Sequence, residues 1–93
     1  MTTTVVYPGT FDPITLGHED VLRRAARLFG RVVVGVAEAH HKKTLFSLQQ
    51  RMDLVRFSLS DTLNIEVHAF DGLVVDFCAA HQALGVVRGV RNH

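Results

Sequence analysis

The sequence has few of the residues that mark secreted, metal-binding or membrane proteins. It contains a single cysteine, Cys78, which excludes an internal disulfide and argues against a structural zinc site. No apolar run approaches the length of a membrane span and no signal peptide opens the chain, so we expect a cytoplasmic protein. The 10 basic and 9 acidic residues are mixed along the chain and give a net charge of +1. This balance predicts no nucleic-acid and no membrane partner.

Several signatures of nucleotide sites and catalytic centres are also missing. No G-x-G-x-x-G follows the first predicted strand and no P-loop lysine is present, which disfavours dinucleotide reductases and P-loop NTPases. The sequence also has no Ser/His/Asp or Cys/His arrangement of the kind that covalent catalysis uses. His40 and His41 are adjacent, a poor spacing for ligands of one ion, and no cysteine or carboxylate cluster supports them. We therefore predict no metal site built from protein side chains.

The 93 residues predict one small domain in which strand and helix patterns alternate. Thr15 and Asp71 are candidate N-caps, Ser47 with Gln50 matches a capping box, and Gly85 is placed to end the third helix. The continuous apolar run at 32–36 is typical of a strand covered on both faces. The predicted elements are a strand at 2–7, a helix at 16–29, a strand at 32–36, a helix at 48–59, a strand at 65–69, a helix at 73–84 and a strand beginning at 86.

Each predicted helix has one apolar face at helical spacing. The predicted buried residues are Val21, Leu22, Ala25, Leu28 and Phe29 in the first helix, Leu48, Met52, Val55 and Leu59 in the second, and Leu73, Val74, Phe77, Ala80, His81 and Leu84 in the third. A β-α-β-α-β-α-β order predicts a Rossmann-like open parallel sheet, here ending after its fourth strand. Ligands of such sheets bind outside the carboxyl ends of the strands. The loops at these ends lie at 8–18, 40–43, 71–74 and 88–91.

The loop after the first strand has the character of a phosphate site. Thr10 offers a hydroxyl, Gly9 and Gly17 permit close approach to the backbone, and His18 lies in the first turn of a helix. Helix N-termini attract anions because their first N–H groups are unpaired and the peptide dipoles point their positive ends outward. A histidine in a first turn is often only solvated, but beside Thr10 and this turn it indicates a donor to phosphate.

The second and fourth loops add cations at the same edge of the sheet. Lys42 is expected to face the cleft, whereas Lys43 is expected to be solvated. Arg88 and Arg91 follow the fourth strand, and guanidinium groups suit bidentate contacts with phosphate. For Arg91 a solvated position near the chain end is the competing interpretation.

Together these stretches closely resemble bacterial phosphopantetheine adenylyltransferase, a family of the nucleotidyltransferase superfamily. The residues that carry the resemblance are YPGTFDPITLGH at 7–18, the lysine pair at 42–43 before FSL at 46–48, and RGVR at 88–91. The Gly-His pair at 17–18 is shared across the superfamily and is weak alone, whereas the extended first motif followed by the other two is specific. The resemblance covers essentially the whole chain, but only the N-terminal portion of the family's domain.

The resemblance implies an activity and a role for each of these residues. The family transfers the adenylyl group of ATP to 4′-phosphopantetheine, the penultimate step of coenzyme A synthesis, giving dephospho-CoA and pyrophosphate. By resemblance the catalytic residues are Thr10, His18, Lys42 and Arg91, with His18 stabilising the transition state at the α-phosphorus. The implied ATP-binding residues are Thr10, Phe11, His18, Gly89, Val90 and Arg91, and the implied phosphopantetheine-binding residues are Thr10, Lys42, Val74 and Arg88.

The resemblance also implies Mg²⁺ on the nucleotide phosphates and association into a homo-oligomer. The chain is then a single nucleotidyltransferase domain at 1–93 that lacks the family's C-terminal part. Two alternatives stay open at this point. One is a phosphate- or nucleotide-binding module without turnover, and the other is a cytidylyl- or adenylyltransferase of the superfamily with a different acceptor.

Overall fold

The computed structural model describes residues 2–39 and 43–88, which form one layered α/β unit. In chain order its elements are β1 (Thr4–Gly9), α1 (Leu16–Leu28), β2 (Arg31–Ala37), α2 (Leu48–Ser58), β3 (Ile65–Phe70), α3 (Val74–Ala80) and β4 (Gly85–Val86). The four strands form one sheet in the order β3-β2-β1-β4, and every neighbouring pair is parallel. The predicted Rossmann-like open parallel sheet is thus confirmed.

The sheet is covered on both faces, as the apolar run of β2 predicted. Val32, Val34 and Val36 pack in the cluster that contains the buried apolar residues of α1 and α2, whereas Val33 packs with Phe77 of α3. Gly35 also faces α3, where an added Cβ would lie 2.7 Å from the Phe77 ring. This close approach explains a glycine inside a buried strand. Fully burying one valine contributes about 1.5–3 kcal/mol, so β2 is a main source of stability.

The first two helices begin at the predicted caps, whereas β1 and α1 differ from the prediction in two respects. Thr15 and Ser47 both form capping boxes, with His18 and Gln50 at the N3 positions. β1 begins later than predicted and extends through Pro8 and Gly9. The missing N–H of Pro8 is tolerated because β4 pairs only with Val5 and Val6, so β1 has one neighbour at this point. In α1, Leu22 and Ala25 are buried as predicted, but Leu28 is 77% exposed.

The third helix was predicted less well. Its N-cap is Leu73, without a side-chain cap bond, rather than Asp71, because Gly72 with φ +99° turns the chain between them. Phe77 is buried as predicted, but Leu73, Ala80 and Leu84 are exposed. The helix ends at Ala80 with His81 as its C-cap, and the left-handed residue that follows is Gln82 with φ +56°. Gly85 instead opens β4 and pairs with Val5, so its prediction as the end of the helix is wrong.

One group of charged and titratable side chains lies toward the amino ends of β2 and β3, away from the carboxyl edge that carries the predicted site loops. Arg31 pairs with both carboxylate oxygens of Glu66, and the Nε2 of His68 lies 3.1 Å from Glu66 Oε1. The hydrogen bond from Arg31 and then that from His68 lower the pKa of Glu66 to about 2. The His81 ring lies 4.6 Å from that of His68 and 4.5 Å from that of Phe77. Burial first, and then the positive charges of His68 and Arg31, lower the pKa of His81.

This arrangement predicts that acid destabilises the fold partly through His81. A histidine whose pKa is lowered by folding stabilises the protein fully above its unfolded pKa, near 6.5, and that contribution is lost as the pH falls through the folded pKa. We expect His81→Phe, which keeps an aromatic ring at this position, to reduce the fall in unfolding free energy between about pH 7 and 5. Urea denaturation at several pH values measures this. Parallel curves for the two proteins would contradict it.

Within the described residues, no helix is long and apolar enough to cross a membrane.

Candidate active site

The predicted site residues that the structure describes lie along the carboxyl edge of the sheet. Thr10 directly follows β1, His18 is in the first turn of α1, Val74 is the first residue of α3, and Arg88 lies just past β4. Val74 and Arg88 border one cavity of about 320 Å³. Its other lining residues are Tyr7, Pro8, Val86 and Val87. The structure therefore brings together two of the residues expected to bind phosphopantetheine, beside the end of β1.

His18 is oriented by the N-cap of its own helix. The backbone N–H of Thr15 donates to His18 Nδ1 at 3.0 Å, and the backbone N–H of His18 donates to Thr15 Oγ1 at 3.3 Å. Because the backbone donor is fixed, Nδ1 must accept, and the neutral ring then carries its proton on Nε2. The capping box thus selects the tautomer that can donate a hydrogen bond from Nε2.

Two aromatic side chains pack against the His18 ring. Its centroid lies 4.9 Å from that of Phe11 and 6.2 Å from that of Tyr7, both edge to face. Burial raises the pKa of Tyr7. Phe11 is 3% exposed and has φ +50°, a left-handed conformation that is uncommon for a bulky residue. Its ring packs so closely under Gly9 that a Cβ there would lie 3.0 Å away. Since the ring is buried, a contact with the nucleotide that the resemblance assigns to this residue would have to come from its backbone.

Asp12 joins the first loop to the second, a role that the sequence did not suggest. Its carboxylate accepts the backbone N–H of Leu45 at 2.6 Å and that of Phe46 at 2.9 Å. Two charge-assisted hydrogen bonds to backbone amides fix the carboxyl end of the second loop, here the whole segment 38–47 between β2 and α2, against the motif that carries Thr10 and His18. Asp12 is therefore part of the site's framework.

Arg51 was also missed, although it is the largest fully buried side chain of the described residues, at 1% exposure. Its guanidinium donates to the carbonyl oxygens of Thr10, Ala37, Glu38 and Phe46. The signal was present in the helical spacing, because position 51 precedes the buried Val55 and Leu59 at intervals of four. An arginine at a position that helical spacing assigns to the buried face indicates that specific hydrogen-bond acceptors surround its charge.

Other predicted residues lie outside the described residues. These are Lys42, Gly89, Val90 and Arg91, together with His40 and His41. Lys43 is exposed, in agreement with its expected position in solvent. Across 2–39 and 43–88, no group of three or more histidine, cysteine or acidic side chains could hold a metal ion.

The sequence matches a family model and several curated proteins. The family model described as cytidylyltransferase-like matches residues 6–93. The phosphopantetheine adenylyltransferase of Acidovorax sp. (strain JS42) is 62% identical over 87 residues, which are 94% of this chain and 53% of that protein. That of Moorella thermoacetica is 56% identical over 86 residues, 92% of this chain and 54% of that protein. The chain thus spans about half the length of the curated relatives it matches.

Solved structures with low sequence identity share the fold. A lipopolysaccharide core biosynthesis protein from Thermoplasma volcanium GSS1 aligns with a TM-score of 0.70 at 20% identity, covering 92% of this chain and 73% of that one. The NadR protein in complex with NAD and AMP-PNP aligns with a TM-score of 0.68 at 20% identity, covering 91% of this chain and 29% of that one. At this level of identity the likeness is one of architecture.

Proposed function

The chain belongs to the cytidylyltransferase-like family, and on this premise we propose that it transfers the adenylyl group of ATP to 4′-phosphopantetheine, giving dephospho-CoA and pyrophosphate. The observation that carries the proposal is the 50–62% identity, over nearly all of this chain, to proteins named phosphopantetheine adenylyltransferase. The position of His18 in the first turn of α1, at the carboxyl edge of the sheet, is compatible with this chemistry.

In the proposed reaction the protein supplies positioning and charge rather than a nucleophile. An oxygen of the acceptor phosphate attacks the α-phosphorus of ATP, a new P–O bond forms, and the bond to the departing pyrophosphate breaks. The Nε2–H of His18 would donate to an α-phosphoryl oxygen, where negative charge is redistributed during transfer. Thr10 would contact the phosphates beside it. Bringing the two substrates together removes much of the entropic cost of their reaction.

The acceptor and the nucleotide would occupy different parts of the carboxyl edge of the sheet. Lys42 and Arg88 would bind the acceptor's phosphate, with its pantetheine arm against Val74 in the cavity between β1 and β4. The backbone of Phe11 and the segment 89–91 would hold the nucleotide, with Arg91 near its phosphates. ATP would enter with Mg²⁺ on its phosphates, since Mg²⁺ usually binds through substrate phosphates and few protein ligands.

A pyrophosphate-release assay tests the proposed function. We expect release with ATP and 4′-phosphopantetheine together, and much less when CTP replaces ATP or when pantetheine without its phosphate replaces the acceptor. Release with CTP or with another phosphorylated acceptor would assign a different member of the superfamily. Tight binding of both substrates by calorimetry, without any release, would instead support a binding module without turnover.

We also propose that the protein associates into a homo-oligomer. Leu73, Val75 and Leu84 are 66–80% exposed, and Val86 of the edge strand β4 is 39% exposed. Exposed apolar side chains near an edge strand favour association. We expect light scattering at micromolar concentration to give a mass above that of one chain. A monomer under these conditions, with Leu84→Lys no more soluble than the wild type, would contradict this part of the proposal.

A further inference from the structure

The ends of two loops at the candidate site converge on one buried guanidinium. Nη1 of Arg51 donates to Thr10 O at 2.9 Å and to Ala37 O at 2.8 Å, while Nε donates to Phe46 O at 3.2 Å. Nη2 lies 3.5 Å from Glu38 O. Thr10 belongs to the first loop, and the other three partners lie at the two ends of the second. One side chain therefore links the first loop to both ends of the second.

We infer that Arg51 is a positioning residue that, with Asp12, fixes the phosphate-binding loops relative to each other before substrate arrives. The identity of the substrate rests on the proposed function, whereas the fixing of the loops does not. Lys42 lies in the sequence between the two loop ends that Arg51 joins. If Lys42 binds the acceptor's phosphate, as the proposed function assigns, that contact forms in a defined position only when both loop ends are held.

The peptide group of Phe46 is the point where the two loops are joined most firmly. Its N–H donates to Asp12, and its carbonyl oxygen accepts both from Arg51 Nε and from the Thr44 hydroxyl at 2.7 Å. A peptide group bonded on both sides cannot rotate without breaking charged hydrogen bonds, which are stronger than neutral ones. The end of the second loop is therefore held to the first loop.

The chemistry of the partners explains why an arginine occupies this position. A planar guanidinium has five N–H donors in a fixed fork and can serve several carbonyl oxygens that lie in different directions. An ammonium has three donors at one point and would reach only some of them. Among the described residues no carboxylate forms an ion pair with Arg51, so its buried charge is balanced by backbone carbonyl dipoles. Such a group is costly to bury unless its hydrogen bonds are made, so the loops and the side chain order together.

The test must separate loop positioning from a general contribution to stability. Arg51→Met removes the donors but keeps much of the volume, and Arg51→Lys restores the charge with fewer donors. Val55→Ala is the matched control, because Val55 is fully buried one turn further along α2 and no side-chain hydrogen bond joins it to the loops. Urea denaturation of all four proteins gives the loss of stability, which is expected in all three variants.

Two measurements then report on the loops, one of them independent of the substrate. Amide hydrogen exchange at Phe46 is expected to be at least tenfold faster in Arg51→Met than in Val55→Ala at equal unfolding free energy, set with urea. Calorimetry with 4′-phosphopantetheine is expected to give at least tenfold weaker binding in Arg51→Met, partial recovery in Arg51→Lys, and a change of less than about twofold in Val55→Ala.

Equal Phe46 exchange in Arg51→Met and Val55→Ala, or equal affinity for 4′-phosphopantetheine in these two variants, would overturn the inference. If Arg51→Met does not fold, Arg51→Lys is compared with Val55→Ala on the same criteria. If the wild-type protein binds neither 4′-phosphopantetheine nor ATP, the proposed function fails, and the exchange rates alone decide whether Arg51 fixes the loops.

Discussion

His18→Ala is expected to lower the rate of pyrophosphate release from ATP and 4′-phosphopantetheine roughly 100- to 1000-fold, the usual effect of removing one oxyanion-type donor. The affinity for either substrate should change far less. The hydrogen bond from the Thr15 N–H to Nδ1 leaves the proton of the neutral His18 ring on Nε2. In the proposed reaction this Nε2–H would donate to an α-phosphoryl oxygen whose negative charge changes during transfer. An interaction made only in the transition state affects kcat rather than ground-state binding.

Two further variants sharpen this prediction. His18→Gln keeps an N–H donor at a similar distance from the backbone, on a more flexible side chain, and should retain part of the rate. Thr15→Ala removes the hydroxyl that accepts from His18 N–H but leaves the backbone donor to Nδ1, so its effect on kcat should be smaller than that of His18→Ala. Steady-state kinetics and calorimetry give kcat and the dissociation constants. An unchanged kcat in His18→Ala, or a loss expressed entirely in substrate affinity, would remove His18 from the catalytic role.

Lys42→Ala is expected to weaken binding of 4′-phosphopantetheine on the order of 10- to 100-fold, the equivalent of one lost charged hydrogen bond. ATP affinity should change little, because the resemblance assigns Lys42 to the phosphate of the acceptor and not to the nucleotide. An ammonium is a compact point charge that suits a terminal phosphate group. This role comes from the resemblance to phosphopantetheine adenylyltransferases, since Lys42 lies outside the described residues.

The neighbouring lysine provides the control for this prediction. Lys43→Ala removes the same charge one residue later, and Lys43 is exposed. It should leave the affinity for both substrates nearly unchanged. Calorimetry of both variants with each substrate distinguishes a specific contact from a loss of net charge. Equal weakening by Lys42→Ala and Lys43→Ala, or equal loss for ATP and acceptor in Lys42→Ala, would contradict the assignment.

Those parts of the fold that depend on local signals could be predicted from the sequence. The apolar run of β2 and the alternation of strands and helices predicted the correct sheet, and the capping boxes begun by Thr15 and Ser47 predicted the starts of α1 and α2. The region around α3 was predicted poorly for a local reason. Left-handed geometry at Gln82 ended the helix, whereas the sequence pointed to Gly85 as the residue that does so.

The framework of the candidate site could not be predicted in the same way, because its bonds join residues far apart in the chain. Asp12 bonds Leu45 and Phe46, and Arg51 bonds Thr10, contacts that depend on how β1, β2 and α2 are assembled. Thr10 and His18 were identified because their short motif combines a strand end with a helix start. The buried position of the Phe11 ring depends on its left-handed backbone, which no residue preference indicates for an aromatic.

The most direct test of the proposed function follows the α-phosphorus of ATP. ATP labelled at that atom is incubated with Mg²⁺, 4′-phosphopantetheine and the protein, and the products are separated. Adenylyl transfer predicts that the label appears in dephospho-CoA, that unlabelled pyrophosphate is released in equal amount, and that His18→Ala slows both together. Label that stays in ATP, while both substrates are shown by calorimetry to be bound, would contradict transfer and leave a binding module as the function.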